Sequence, residues 1–223
     1  MAESSYAAMA NNPIAVIGSQ YCAPNQVDLV ISRKVKTNRD GEFVVSNMNG
    51  DAMFQIRGTA LGWHNKRVIL DVAGNPLVTL KEKILSEHRR WNVFRGGNTE
   101  DKDFLFTIKT TSMFQWKTKF AVFLANNNSK EKDCDYLIKG SWSHESCVIY
   151  VGDSSTIVAR IHKKITDKDF IDWKRQFQVS VYPNVDQVFI VSLIVILDAI
   201  NADSDAAAVG AAAGLGAAVS AGF

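Results

Sequence analysis

The sequence predicts a mainly β protein, a closed antiparallel β-barrel of about twelve strands around a central hydrophobic C-terminal α-helix. Apolar and polar residues alternate through many short segments, turn signals separate these segments, and one wholly apolar helical segment follows the last of them. Strict alternation is typical of a strand with one buried and one exposed face. No long helical pattern precedes Asn184, which argues against a parallel sheet with crossover helices.

The predicted strands are short and regularly spaced. Leu29 and Ile31 alternate with polar residues in the first, and turn signals such as Asp40-Gly41 and Asn49-Gly50 lie between strands. This spacing favours a sandwich or a closed barrel. The strands are predicted to begin near Val27, Glu42, Ala52, Lys66, Leu77, Trp91, Asp103, Thr118, Cys134, Ser146, Thr156 and Gln176.

A helix is predicted after Pro183. Asn184 can act as its N-cap with Gln187 as the capping partner, and Asp186 places a negative charge in the first turn. The following segment, Val188 to Leu197, is apolar on every side, so it belongs in protein interior or in lipid. Ten helical residues rise about 15 Å, half of a hydrocarbon core of about 30 Å, which favours the protein interior.

Composition sets limits on the function. The 223 residues carry a formal net charge of +2, too near neutral to require a nucleic-acid or membrane partner. Three cysteines do not form a disulfide framework, and no basic segment opens the chain as in a secretory signal. We expect a cytoplasmic protein, peripheral to a membrane or nuclear, and a monomer. We also expect a flexible segment over 1–20, a single domain over 21–204 and a disordered Ala/Gly-rich tail over 205–223.

No catalytic or metal-binding constellation is recognisable. The four histidines are scattered without a metal-ligand spacing, and neither a nucleophile elbow nor a phosphate loop occurs. Cys134 and Cys147 are interpreted as core residues and Trp91 and Trp142 as core or half-buried, whereas Trp116 is the best candidate for an exposed aromatic side chain. The sequence therefore predicts a protein that is not an enzyme and holds no metal or cofactor.

Basic residues at strand ends are the polar feature that indicates a ligand. Alternate residues of one strand face the same side, so Lys81 shares a face with Lys83, and Arg160 shares one with Lys164. Several cations on one surface can hold a phosphate or an inositol headgroup. The alternative is a solvated barrel exterior, where cations protect the strands against edge pairing. The candidates are Lys81, Lys83, Arg89, Arg90, Lys117, Lys119, Arg160 and Lys164.

Four motifs, in this order and spacing, resemble the plant LURP-one-related family. They are Tyr21-Cys22-Ala23-Pro24, Trp91 to Gly97, Lys139-Gly140-Ser141-Trp142, and Val181 to Asp186. The resemblance runs from about Tyr21 to Asp203. It implies a Tubby-like barrel, a relationship to phospholipid scramblases and to membrane-tethered Tubby-like regulators, and, through one member, a link to basal plant defence.

The resemblance and the basic residues lead to one principal expectation. We expect a reversible membrane-tethered regulator that binds anionic lipid, phosphoinositides in particular, and takes part in defence signalling. Scrambling is unsupported, because the palmitoylated cysteine-rich segment of scramblases is missing and the apolar helix is too short to span. A protein-interaction scaffold without lipid affinity is the alternative. A carrier of an apolar small molecule is disfavoured, since the helix would fill the lumen.

Overall fold

Twelve antiparallel strands form a closed barrel in the computed structural model. The structure describes residues 13–33, 42–59, 65–83, 89–114, 117–141, 146–164 and 176–201. Each strand pairs with its neighbours in sequence, and β1 closes the barrel against β12. The predicted fold class is confirmed. The strands are β1 Val27–Arg33, β2 Phe43–Asn47, β3 Ala52–Thr59, β4 Lys66–Leu70, β5 Pro76–Lys83, β6 Arg90–Arg95, β7 Phe104–Phe114, β8 Lys117–Leu124, β9 Tyr136–Ser141, β10 Ser146–Val151, β11 Ile157–Lys164 and β12 Gln176–Val181.

Strand β9 shows the largest difference between a predicted and an observed strand start. It begins at Tyr136 rather than near Cys134. The backbone N–H of Asp135 donates to the carbonyl of Val122, and its carboxylate accepts the N–H of Leu124 at 2.8 Å. These bonds hold Asp135 in the connection before the strand, so the strand itself begins with the next residue, Tyr136.

The helix α1, residues 187–201, fills the barrel. Its residues from 187 to 200 are all buried, and Phe189 packs edge-on against Phe106 with ring centroids 5.2 Å apart. Each such large apolar side chain contributes about 1.5–3 kcal/mol when fully buried. The predicted place of the apolar segment in the protein interior is confirmed. Among the described residues, no helix is long and apolar enough to cross a membrane.

The predicted N-cap of this helix, Asn184, is wrong, because Asp186 takes that role. The Oδ1 atom of Asp186 accepts the N–H of Phe189 at 3.0 Å, as an N-cap carboxylate does. Asn184 lies just before, with a φ of 60°, and its backbone is bonded to the N-terminal segment at Ala23 and Ile14. These bonds keep Asn184 outside the helix.

The N-terminal segment, residues 13–22, lies against the beginning of α1. Ile14 forms a parallel bridge with Val185, and the N–H groups of Ile17 and Gly18 donate to Oδ2 of Asp186 at 2.7 and 3.0 Å. Ile17 is buried in the core. Residues 13–20 therefore lie fixed against the barrel, whereas a flexible segment is expected over 1–20. The N–H groups of this segment are donors to the buried carboxylate of Asp186.

The barrel has two chemically different ends. We call the end where α1 begins the lower end and the end where α1 finishes the upper end. Because neighbouring strands are antiparallel, each even-numbered strand finishes at the lower end and each odd-numbered strand finishes at the upper end. Carboxylates outnumber cations in the described turns at the lower end, where Lys102, Lys130 and Lys132 lie beside Asp51, Asp71, Asp101, Asp103, Asp133 and Asp153. Cations gather toward the upper end, at Arg33, Arg57, Lys66, Lys81, Lys83, Arg90 and Lys119.

Candidate anion-binding surface

Four cations lie on the outer face of three neighbouring strands near the upper end. Lys66 of β4 is paired in register with Lys81 of β5, and Lys83 of β5 with Arg90 of β6. Val78 of β5 and its alternate neighbour Leu80 point into the core, which leaves the lysines of that strand on the outside. We call Lys66, Lys81, Lys83 and Arg90 the β4–β6 basic cluster. The predicted common face of Lys81 and Lys83 is confirmed.

The pairing of like charges in the β4–β6 basic cluster has a cost. Directly opposed residues of an antiparallel pair have Cβ atoms about 4.5–5.5 Å apart, and like charges at that spacing destabilise the sheet. Two such pairs, Lys66 with Lys81 and Lys83 with Arg90, occur side by side. An anion with several oxygen atoms can accept hydrogen bonds from cations on more than one of these strands.

One carboxylate, Glu131, already interacts with this face. Its two oxygens accept hydrogen bonds from Nη1 and Nη2 of Arg90 at 2.6 and 2.8 Å, and Lys109 of β7 donates to it at 3.0 Å. The hydrogen bond from Arg90 is the main cause that lowers the pKa of Glu131 from 4.5 to about 2. Glu131 belongs to the connection between β8 and β9, and it is not among the residues predicted from the sequence.

A groove of about 260 Å³ separates this connection from the barrel wall. Its polar lining combines members of the basic cluster with the connection itself, and an ion pair crosses it from Arg90 to Glu131. The groove is open to solvent, and Lys130 stands exposed at its edge. The polar lining residues are Lys83, Arg90, Asn92, Thr107, Asn127, Lys130 and Glu131.

Arg89, a neighbour of the cluster in sequence, points elsewhere. Its Nη1 atom donates to the carbonyl oxygen of Ile200 at 2.9 Å, at the C-terminal end of α1. A cation there satisfies a free helix carbonyl and interacts favourably with the helix dipole. Arg89 has a φ of 42°, which turns the chain from the barrel mouth into β6. The structure thus places this candidate at the helix end and not on the outer face.

Lys119 and Arg160 lie in a second basic row on another part of the barrel. Lys119 of β8 is opposite Lys139 of β9, and one strand separates Lys139 from Arg160 of β11. Lys139 is paired with Asp153 at 2.8 Å, and Nε of Arg160 donates to the hydroxyl of Tyr182 at 3.1 Å. β5 and β11 are six positions apart in the twelve-stranded order, so the predicted residues do not form one site.

The remaining predictions fall partly outside the described residues. The side chains of Lys117 and Lys164 lie outside them, although the backbones belong to β8 and β11. Trp116 and Trp142 lie outside them too. Trp91 and Cys147 are buried, as predicted. The core position predicted for Cys134 is wrong, because Cys134 is half-buried in the connection before β9.

The fold and this surface define a class of protein, an antiparallel β-barrel that encloses its own C-terminal helix and carries cations on its outer wall. The family model described as LURP-one-related matches residues 27–198, and the chain belongs to this family.

Similar proteins from Arabidopsis thaliana agree with this assignment. Protein LURP-one-related 15 is 49% identical over 192 residues, which cover 86% of this chain and 88% of that protein. Protein LURP1 is 46% identical over 185 residues, which cover 83% and 89%. An X-ray structure of a protein from the same plant matches with a TM-score of 0.67 and 44% identity, over 84% of this chain and 98% of that one.

Proposed function

We propose that this protein is a non-enzymatic regulator that binds reversibly to anionic lipid, phosphoinositides in particular, through the β4–β6 basic cluster. The observation that carries the proposal is the double cross-strand pairing of cations, Lys66 with Lys81 and Lys83 with Arg90. Directly opposed like charges repel each other across the sheet, and Glu131 offsets the charge of Arg90 within the chain. A phosphorylated headgroup turns the same arrangement into a multidentate site.

The charge distribution supports a defined orientation at a membrane. Carboxylates outnumber cations in the described turns of the lower end, whereas the basic cluster lies toward the upper end. An anionic surface attracts the upper end and repels the lower end. Each Lys or Arg near such a surface contributes about 1 kcal/mol, so the four residues of the cluster support a weak, reversible and salt-sensitive attachment.

The interior supports a role other than catalysis or transport. Helix α1 fills the lumen that a carried apolar molecule would need. Its two buried carboxylates serve the fold, since Asp186 caps the helix and Asp198 faces Arg67. The similarity to Protein LURP1 supports a place for the regulator in plant defence signalling.

Vesicle co-sedimentation tests the proposal. We expect the wild-type protein to sediment with phosphatidylcholine vesicles that contain phosphatidylinositol bisphosphate, to stay in solution with phosphatidylcholine alone, and to detach as salt rises. Lys81→Glu/Lys83→Glu should abolish binding, because it reverses two charges of the cluster. The matched control, Lys102→Glu/Lys132→Glu, reverses two exposed charges that lie outside the basic cluster and should leave binding within about twofold. Equal loss in both variants, or no wild-type binding at low salt, would overturn the proposal.

A further inference from the structure

Glu131 holds Arg90 in the way that a phosphate group would. The two terminal guanidinium nitrogens of Arg90 face the two carboxylate oxygens, and the Lys109 ammonium approaches from the next strand. A parallel pair of N–H···O bonds is how Arg recognises carboxylate and phosphate alike. An anion from the chain itself therefore occupies Arg90, a member of the β4–β6 basic cluster.

The connection that carries Glu131 is held at its base by bonds that do not involve this residue. The Asn127 side chain donates to the Asp133 carbonyl and to the Asp135 carboxylate, at 3.0 and 2.8 Å. Ser129 adds a hydroxyl bond to the same carbonyl at 3.0 Å. The base of the connection can thus persist while Glu131 leaves Arg90.

The tip of the connection adopts a conformation that ordinary residues rarely take. Lys130 and Glu131 have φ values of 52° and 63°, so two consecutive residues with side chains are left-handed. The bonds to Arg90 and Lys109 are what Glu131 gains from this conformation. Release of the carboxylate would let the tip relax, which lowers the barrier that an incoming anion has to overcome.

We propose that Glu131 is an intramolecular competitor for Arg90 that sets a threshold for the β4–β6 basic cluster, so that a phosphate binds only when its attraction exceeds the cost of displacing Glu131, and phosphomonoesters exceed that cost most readily. The proposal rests on the proposed function and specifies its ligand class. A carboxylate carries one negative charge, as does a phosphodiester, so a diester headgroup exchanges one monoanion for another. A phosphomonoester carries about −1.5 to −2 at neutral pH, and it can displace Glu131 with a gain in charge.

Vesicle binding of Glu131→Gln separates this role from a simple change in net charge. The control Asp133→Asn removes one carboxylate from the same connection, and Asp133 is exposed. Each protein is titrated with phosphatidylcholine vesicles that contain either phosphatidylserine, a diester, or phosphatidylinositol bisphosphate, at matched surface charge. We expect Glu131→Gln to bind both kinds of vesicle about tenfold tighter, because removal of a competitor favours every ligand that has to displace it by the same factor. Asp133→Asn should change neither by more than about twofold.

The soluble headgroup, inositol trisphosphate, distinguishes a lipid surface from a free phosphate. Calorimetric titration should show tighter binding to Glu131→Gln than to Asp133→Asn. In the wild-type protein, inositol trisphosphate should raise deuterium uptake at residues 128–132, a readout that needs no variant. No gain on either vesicle type, gains shared with Asp133→Asn, or weaker binding of Glu131→Gln would overturn the competitor role and leave the lipid site standing. Absence of vesicle binding combined with the headgroup effects would instead overturn the membrane function and keep the competitor.

Discussion

Arg67 of β4 and Asp198 of α1 face each other inside the barrel, with Nη1 and Oδ2 3.8 Å apart. The same Nη1 atom donates to the carbonyl oxygen of Val195 at 2.8 Å. The Asp198 side chain is 1% exposed and that of Arg67 is 12% exposed. A charge buried to this degree is tolerated only with a partner of opposite sign. The pair therefore joins the last turns of α1 to the barrel wall.

Removal of the cation from this pair should be strongly destabilising. We expect Arg67→Ala to lower the free energy of unfolding by about 3–5 kcal/mol, because Asp198 would lose a buried cation that neutralises it. Chemical denaturation followed by tryptophan fluorescence measures this change. Arg57→Ala, at an exposed position of β3, serves as the control and should cost no more than about 0.5 kcal/mol. Similar costs for the two variants would contradict the role given to the pair.

The barrel and its central helix are predictable because they leave periodic signals. Side chains repeat every two residues along a strand, and a helix that is apolar on every side has to be enclosed. The Arg67–Asp198 pair leaves no such signal. Arg67 is a charged residue at an inward position near a strand start, and Asp198 looks in sequence like the boundary between the apolar helix and the tail. Only the register of β4 against α1 brings them together.

Reversal of one charge in the β4–β6 basic cluster should stabilise the fold and weaken the site. Lys81→Glu turns the repulsive pair with Lys66 into an attractive one. We expect the free energy of unfolding to rise by about 0.5 kcal/mol while vesicle binding falls. Thermal unfolding and co-sedimentation on the same preparations measure both. A variant that loses stability and binding together would indicate that Lys81 serves the fold rather than a ligand.

The candidate surface could be predicted only in part for a related reason. Lys81 and Lys83 share a strand, so their common face follows from sequence. Lys66 joins them through cross-strand register, which depends on the length of a turn between two strands. Glu131 reaches Arg90 from 41 positions away along the chain, through a connection whose left-handed tip contains no glycine to indicate it.

The pH dependence of stability should report the Glu131 contacts. Burial opposes ionisation, but the hydrogen bond from Arg90 prevails and lowers the pKa of Glu131 to about 2. A carboxyl group whose pKa is lower in the folded state stabilises the protein above its unfolded pKa, and this contribution is lost as pH falls. We expect thermal stability to decline between about pH 4.5 and 2 with a component that Glu131→Gln lacks. Parallel pH profiles for the two proteins would contradict the assignment.

The protein should be slightly more stable with glycine than with lysine at position 130. Its φ of 52° costs a residue with a Cβ atom about 1 kcal/mol relative to glycine. The loss of backbone entropy on folding offsets part of this gain, so we expect Lys130→Gly to raise the free energy of unfolding by a few tenths of a kcal/mol. The control Lys132→Gly removes the same exposed charge from a neighbouring position and should be neutral or destabilising. Differential scanning calorimetry resolves the two, and an equal loss would show that the tip carries no strain.

Asp186 should be the most sensitive contact between the N-terminal segment and the barrel. Its carboxylate accepts N–H groups from Ile17, Gly18 and Phe189, and an amide can accept only on one side. Asp186→Asn would therefore turn its NH2 group toward the buried N–H of Ile17 and the half-buried N–H of Gly18, at a cost of about 1–3 kcal/mol. We expect the amides of Ile17 and Gly18 to exchange with solvent much faster than in the wild-type protein, as measured by nuclear magnetic resonance.

The cost of Asp186→Asn should also depend on pH. Burial raises the pKa of Asp186, and the N–H groups that it accepts only partly counter this effect. A carboxyl group whose pKa is higher in the folded state contributes stability below its unfolded pKa of about 3.8, and that contribution is lost as pH rises through the folded value. The free energy of unfolding of the asparagine variant should thus lie further below that of the wild-type protein at acid pH than at neutral pH. The opposite trend in denaturant midpoints would mean that the N–H groups outweigh burial and that the carboxylate is held in its charged form.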